Sequence, residues 1–213
     1  MRTSSPYRFG SIGAKTPLAF AGQRIGLLGG SFNPPHAAHR LISETALKRL
    51  GLDRVWWIVT PGNPLKSDRG LLPLDERMAL CRTVARNRRI VVTAFEQGLP
   101  SRYSAATVGF LKRRHPGVRF VWLMGADCLV EFHRWRLWRE MLANMPMAVI
   151  DRPGSHLKAL AGPAAGAFAR QRRPETMARR LASARPPAWT LLTGPLSSLS
   201  STAIRADRTR HSP

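Results

Sequence analysis

Two histidines three residues apart, His36 and His39, close the run Gly29-Gly30-Ser31-Phe32-Asn33-Pro34-Pro35-His36-Ala37-Ala38-His39. At i and i+3 on a helix they share a face. Three chemistries are open to such a pair. As metal ligands they need a third partner, and no Glu or Cys stands at a motif spacing nearby. As capping residues they would only satisfy the first turn of a helix. As phosphate donors they fit their neighbours, because paired glycines let the backbone approach a bulky anion and the helix that follows turns its first amides the same way. The glycines do not match Gly-x-Gly-x-x-Gly, and no Lys-Ser or Lys-Thr of a P-loop follows, so dehydrogenase and ATPase readings are weakened.

Such a loop needs a strand that ends at the glycines and a helix that begins at the histidines. Ile25 to Leu28 is a short apolar run of the buried-strand type, and Ile42, Ala46, Leu47 and Leu50 recur at helical spacing until Gly51. The alternation continues along the chain. Val55 to Val59 predicts a strand, 74–87 a helix, Ile90 to Phe95 a strand, 104–114 a helix, Val118 to Met124 a strand followed by a Trp-rich segment, and Met147 to Ile150 a further strand. Trp189 to Leu192 predicts the last strand and 202–206 a short helix. This spacing is that of β-α-β crossovers. It predicts an α/β fold, a Rossmann-like doubly wound parallel sheet with helices on both faces and a small C-terminal helical segment. Ligands of such sheets sit at the carboxyl ends of the strands, so the residues just after each strand are the ones to read for function.

Composition sets the limits. A chain of 213 residues, 44% hydrophobic, is long enough for one well-filled domain, and its two cysteines cannot make a disulfide scaffold. No stretch approaches the roughly 18 uninterrupted apolar residues of a membrane span. Residues 1–23 carry no acid and no compact apolar core of a secretory signal, and read as a disordered lead-in. The expectation is a reduced, cytoplasmic protein with one domain over 24–207 and a short tail over 208–213.

The formal net charge of +22 suggests nucleic acid at first sight. Yet only five of the 34 basic residues are lysine and the other 29 are arginine, a skew that base composition of the gene can produce, and no finger or aromatic RNP-type strand accompanies it. Excess positive charge equally suits a protein that gathers anionic small molecules. Segment 152–188 holds eight basic residues and a single acid, Glu175, and reads as one or two exposed basic helices between Pro-containing loops, packed on the main sheet or partly mobile.

Five segments in order, each at a strand end or helix start, resemble the HxGH nucleotidyltransferase superfamily, and specifically its bacterial nicotinate-nucleotide adenylyltransferases. The first is the Gly29–His39 run. Pro64-Leu65-Lys66 resembles the family's Pro-x-Lys loop. Arg102-Tyr103-Ser104-Ala105-Ala106-Thr107 is similar to its Tyr-Thr/Ser-x-x-Thr segment. Gly125-Ala126-Asp127 with Phe132 and Trp135 resembles its Gly-Ala-Asp-Asn block, and Ser200-Ser201-Thr202-Ala203-Ile204-Arg205 its Ser-Ser-Thr-x-Ile-Arg motif. The resemblance spans about Arg24 to Asp207.

It implies transfer of the adenylyl group of ATP, carried with Mg2+, to nicotinate mononucleotide, giving deamido-NAD and pyrophosphate by direct in-line attack. A phosphate oxygen is already an anionic nucleophile, so the site needs alignment and charge neutralisation rather than a general base. The resemblance places His39 and His36 as the catalytic phosphate donors. It puts Gly29, Gly30, Ser31, Phe32, Lys66, Gly125, Asp127, Ser201, Thr202 and Arg205 on ATP, and Tyr103, Thr107 and Trp135 on nicotinate mononucleotide, with Trp135 stacking on the pyridine. No side chain is expected to hold a metal of its own, and neither a specific nucleic acid nor a membrane is an expected partner. Three positions depart from the family pattern: Asn33 stands for the usual Asp, Ala38 for the Gly before the second His, and Cys128 for the Asn after Asp127. Cys128 reads as a small half-buried filler.

Overall fold

The computed structural model describes residues 14–62, 70–194, 199, 201 and 204–205. Six strands, β1 (Arg24–Gly30), β2 (Arg54–Val59), β3 (Ile90–Thr93), β4 (Arg119–Gly125), β5 (Met147–Ile150) and β6 (Trp189–Leu192), form one sheet in the order β3-β2-β1-β4-β5-β6, and every pairing is parallel. This is the doubly wound order, with its switch point between β1 and β4. The predicted strands are therefore all present. The third is shorter than its apolar run, because Phe95 turns into a single 3-10 stretch, Phe95–Gly98.

Because both faces of a parallel sheet are covered, its strands are apolar throughout. Adjacent indoles show the consequence: Trp56 faces one core and Trp57 the other, and both are fully buried. Helices α1 (Ala37–Arg49) and α2 (Leu74–Ala85) supply the Trp57 face. On the Trp56 face lie α3 (Ser104–Arg114), α4 (Ala126–Glu131), α5 (Trp138–Asn144), and the short α6 (His156–Ala161) and α7 (Pro163–Ala167).

One expectation changes. Residues 14–23, read as part of a disordered lead-in, lie against the domain: Ala14 is buried beside Gly98, the Thr16 hydroxyl meets Nε2 of His115 at 2.9 Å, and Gly22 N–H donates to the Gly117 carbonyl at 2.8 Å. Residues 1–13 and 206–213 lie outside the described residues. The basic segment packs on the sheet and keeps most of its basic side chains exposed. Its 3-10 stretch Glu175–Ser183 buries Ala178, Leu181 and Ala182 in the Trp57 core, and its lone acid, Glu175, anchors it by accepting from Arg49 Nη2 at 2.6 Å and Thr193 N–H at 2.9 Å.

Candidate active site

At the carboxyl end of β1 the chain turns through Phe32, which adopts a left-handed conformation (φ 46°) and buries its ring to 1% exposure. The turn brings His36 to the N-cap of α1 and His39 to its third position. The His36 backbone N–H donates to Nδ1 of His39 at 3.2 Å, and the two rings lie 3.8 Å apart. Beneath them Phe32 packs 4.6 Å from the His39 ring and 5.1 Å from Trp57. Trp57 Nε1 donates to Ser43 Oγ at 2.7 Å, and Ser43 Oγ donates to the His39 carbonyl at 2.9 Å. The imidazoles thus stand on an aromatic floor that is itself hydrogen-bonded to the helix carrying them. Phe32 reaches the site through His39, as its support.

Both imidazoles are held neutral. Burial, then the Arg152 charge, lowers His36 to about 4, and burial, then His36 and Arg152, lowers His39 to about 3, outweighing a raising contribution from the His36 backbone. A neutral His39 whose Nδ1 accepts a hydrogen bond carries its proton on Nε2. Its free ring nitrogen is therefore a donor. Among the described residues His36 Nδ1 is buried with no hydrogen-bond partner.

The last motif closes on this turn from the other side. Ser201 Oγ donates to the Pro34 carbonyl at 2.8 Å, and Arg205 Nη1 donates to the Asn33 carbonyl. Asn33 in turn ties the turn to the next loop, giving Nδ2–H to Gly70 O at 2.8 Å and taking Leu72 N–H on Oδ1 at 3.3 Å. An amide does both, whereas the family's Asp could only accept. Ala38 is buried, so its methyl does not stand in open space at the turn. Gly29 leaves room for the Trp122 indole, whose nearest atom would lie 3.0 Å from a Cβ there, while a Cβ on Gly30 would meet only the Phe32 ring, at 3.5 Å.

Across the switch point, Gly125 caps α4 and Asp127 pairs with Arg152, Oδ2 to Nη1 at 3.5 Å. Cys128, expected half-buried, is exposed on the first turn of that helix. The residues expected around nicotinate mononucleotide divide. Trp135 is partly exposed and packs edge-on to Trp122 and Phe132, whereas its neighbour Trp138 belongs to the core. Tyr103 is half-buried at the N-cap of α3 under the Arg136 guanidinium, 5.0 Å from its ring. Thr107 is fully buried and donates its hydroxyl to Glu96. Lys66 and Thr202 lie outside the described residues.

Four site elements escaped the motif reading. Arg152 and Glu96 lie two and three residues beyond β5 and β3, where position after a strand is itself the signal. Arg77 and Trp57 have none: one lies in a charged helix, the other in an apolar strand. Arg77 is buried and donates to the carbonyls of Leu72 and Ser31 at 2.8 Å and Thr60 at 2.7 Å, fastening the loop after β1 to both ends of the β2–α2 connection. Burial raises Glu96 to about 7, against the lowering hydrogen bonds from Thr107 and Thr60. Among the described residues no group of three or more His, Cys, Asp or Glu gathers that could hold a metal, and no helix is long and apolar enough to cross a membrane.

The family model described as cytidylyltransferase-like matches residues 27–207. A protein of Rhizobium meliloti is 57% identical over 182 residues, 85% of this chain and 97% of that protein. One of Methylorubrum extorquens is 59% identical over 182 residues, covering 85% and 98%. Both bear the name "Probable nicotinate-nucleotide adenylyltransferase". Among solved structures, the Plasmodium falciparum nicotinic acid mononucleotide adenylyltransferase complexed with NaAD superposes with a TM-score of 0.65 at 16% identity, over 86% of this chain and 83% of that one, a likeness of fold.

Proposed function

The chain belongs to the nicotinate-nucleotide adenylyltransferase family, and from that membership and the geometry at the end of β1 we propose that it joins ATP to nicotinate mononucleotide, forming deamido-NAD and pyrophosphate. The observation that carries the chemistry is the His36 N–H to His39 Nδ1 hydrogen bond, which makes His39 Nε2 a fixed N–H donor beside the glycine turn.

In this reading a phosphate oxygen of the mononucleotide attacks the α-phosphorus of ATP. The new P–O bond forms as the bond to the bridging oxygen breaks, and pyrophosphate leaves with that electron pair. No proton has to be removed from the nucleophile, which agrees with a turn that presents neutral imidazoles, cations and helix amides and no carboxylate base. His39 donates to an α-phosphate oxygen and His36 to the neighbouring phosphates. Gly29, Gly30 and Ser31 bring backbone to the nucleotide, and Lys66, Arg205, Ser201 and Thr202 hold phosphates. Gly125 and Asp127 lie on the ATP side, and Tyr103 and Trp135 on the pyridine side. Thr107 acts through Glu96. A Mg2+ ion would be held by ATP rather than by this turn, which offers nitrogen donors and positive charge, and would supply charge neutralisation on the phosphates.

The test is substrate-dependent pyrophosphate release by the purified full chain. Release that requires both Mg-ATP and nicotinate mononucleotide is expected, and its absence overturns the reading. Nicotinamide mononucleotide should react more slowly in the same assay. With an ATP made chiral at the α-phosphorus by sulfur, inversion is expected for direct displacement; retention would mean a covalent intermediate.

A further inference from the structure

We infer that Arg152 is a catalytic phosphate ligand: its guanidinium, held at the carboxyl ends of β4 and β5 by Asp127, engages the phosphoryl oxygens of ATP as the bond to pyrophosphate breaks. This rests on the proposed adenylyl transfer and adds to it a residue that the sequence assigns only to a general basic segment.

Arg152 stands two residues beyond β5, beside the switch point where ligands of this fold bind. Its side chain is only 12% exposed, unusual for an arginine that serves a solvated surface. Among the described residues its side chain has two polar partners, Asp127 Oδ2 at 3.5 Å from Nη1 and the Leu199 carbonyl, which accepts from Nη2. A guanidinium has five N–H donors, so most of this one's capacity is unspent. Among the described residues Asp127 Oδ1 has no hydrogen-bond partner. The Asp127 side chain is 43% exposed, so the pair stands open to solvent at the strand ends, where a ligand can reach it.

The backbone is built around the pair. A Cβ at position 125 would lie 2.3 Å from Asp127 Oδ1 and 2.8 Å from Arg152 Cδ, so glycine is what lets both side chains lie over the strand end. From there the Arg152 charge acts on His36 and His39 together, lowering both. The end of β1 thus presents two neutral imidazoles and the end of β5 one permanent cation. Of these three the cation is the one that can take up charge arriving on the departing pyrophosphate, and its planar fork suits two phosphate oxygens at once. Asp127 is the positioning residue that keeps it there before ATP arrives.

Kinetics and binding separate the possibilities. Arg152→Gln should lower kcat by about 10²- to 10³-fold, the usual loss for one transition-state donor. Added guanidinium ion should restore part of the activity of Arg152→Ala. By calorimetry, inorganic pyrophosphate should bind Arg152→Gln at least about tenfold more weakly than wild type. Wild-type turnover with Arg152→Gln within about threefold of it overturns the inference and leaves the reaction standing, as does a loss confined to the KM for ATP. No turnover by wild type overturns the reaction instead, and calorimetry then decides alone, equal pyrophosphate affinities overturning the inference. Should Arg152→Gln not fold, Arg152→Lys keeps the charge but not the fork; an unchanged kcat there also overturns it.

Discussion

The backbone N–H of His36 donates to Nδ1 of His39, so the orientation and tautomer of the second imidazole are fixed by the peptide that carries the first. Phe32 and Trp57 hold the same ring from below. His39→Ala should therefore lose the donor outright and lower the rate of pyrophosphate release by about 10²- to 10³-fold with little change in KM for either substrate. Equal rates would remove His39 from the mechanism.

The pH dependence of stability should show two opposed contributions. His36 and His39 fall from 6.5 to about 4 and about 3 on folding, so their contribution is complete above pH 6.5 and is lost as pH falls toward those values. Glu96 rises from 4.5 to about 7, so its contribution is complete below 4.5 and is lost as pH rises through 7. A protonated Glu96 can donate to Thr60 Oγ1, whose own proton goes to Gly62 O at 2.8 Å. Urea midpoints measured at pH 5, 6.5 and 8 should decline less toward pH 8 in Glu96→Gln than in wild type. An identical decline would mean that Glu96 is ionised throughout. NMR should find neither site imidazole titrating between pH 5 and 8.

The sheet was legible because burial on two faces leaves an apolar run for each strand, and the run Val55 to Val59 could be nothing else. The histidine turn was legible because glycine, proline and histidine each carry a backbone or donor property that few residues share. What escaped was set by long-range contact. Nothing local distinguishes the buried Arg77 from exposed Arg82 in the same helix. The basic segment divides in a related way: Arg179 is exposed and lies near Gly51 and Arg24 at the amino ends of the strands, away from the site, whereas Arg152 lies within it. Charge counts cannot separate these two fates.

Ala38 tests whether a departure from the motif matters. Its methyl is buried and sits in the first turn of α1, so Ala38→Gly should cost about 0.5–1 kcal/mol of stability through backbone entropy and lost contact. Rates and KM should stay at the wild-type level. A marked gain in activity would place the methyl against substrate instead.

Trp135 is held by its edges against Trp122 and Phe132, with ring centroids 6.4 and 5.4 Å away, and remains partly exposed. That leaves surface for a pyridine ring to cover. Trp135→Ala should raise the KM for nicotinate mononucleotide by about ten- to a hundredfold, the range of one aromatic stacking contact, while KM for ATP changes little and Trp135→Phe recovers most of the loss. Equal increases for both substrates would assign Trp135 to packing.

Arg77 makes the opposite case, a residue expected to matter for shape rather than chemistry. Its guanidinium gathers the carbonyls of Ser31, Thr60 and Leu72, which belong to the loops after β1 and β2 and the entry to α2. Arg77→Met fills much of the volume but leaves those carbonyls buried without a donor, at a cost of about 3 kcal/mol, since hydrogen bonds to a charged group are the stronger kind. Denaturant midpoints should fall accordingly. Because Ser31 and Thr60 border the glycine turn, the folded variant should also bind ATP more weakly, and Arg77→Lys should rescue little: an ammonium is a point charge that cannot span the three carbonyls the fork reaches. A stable variant with wild-type KM would show that the loops hold their places without it.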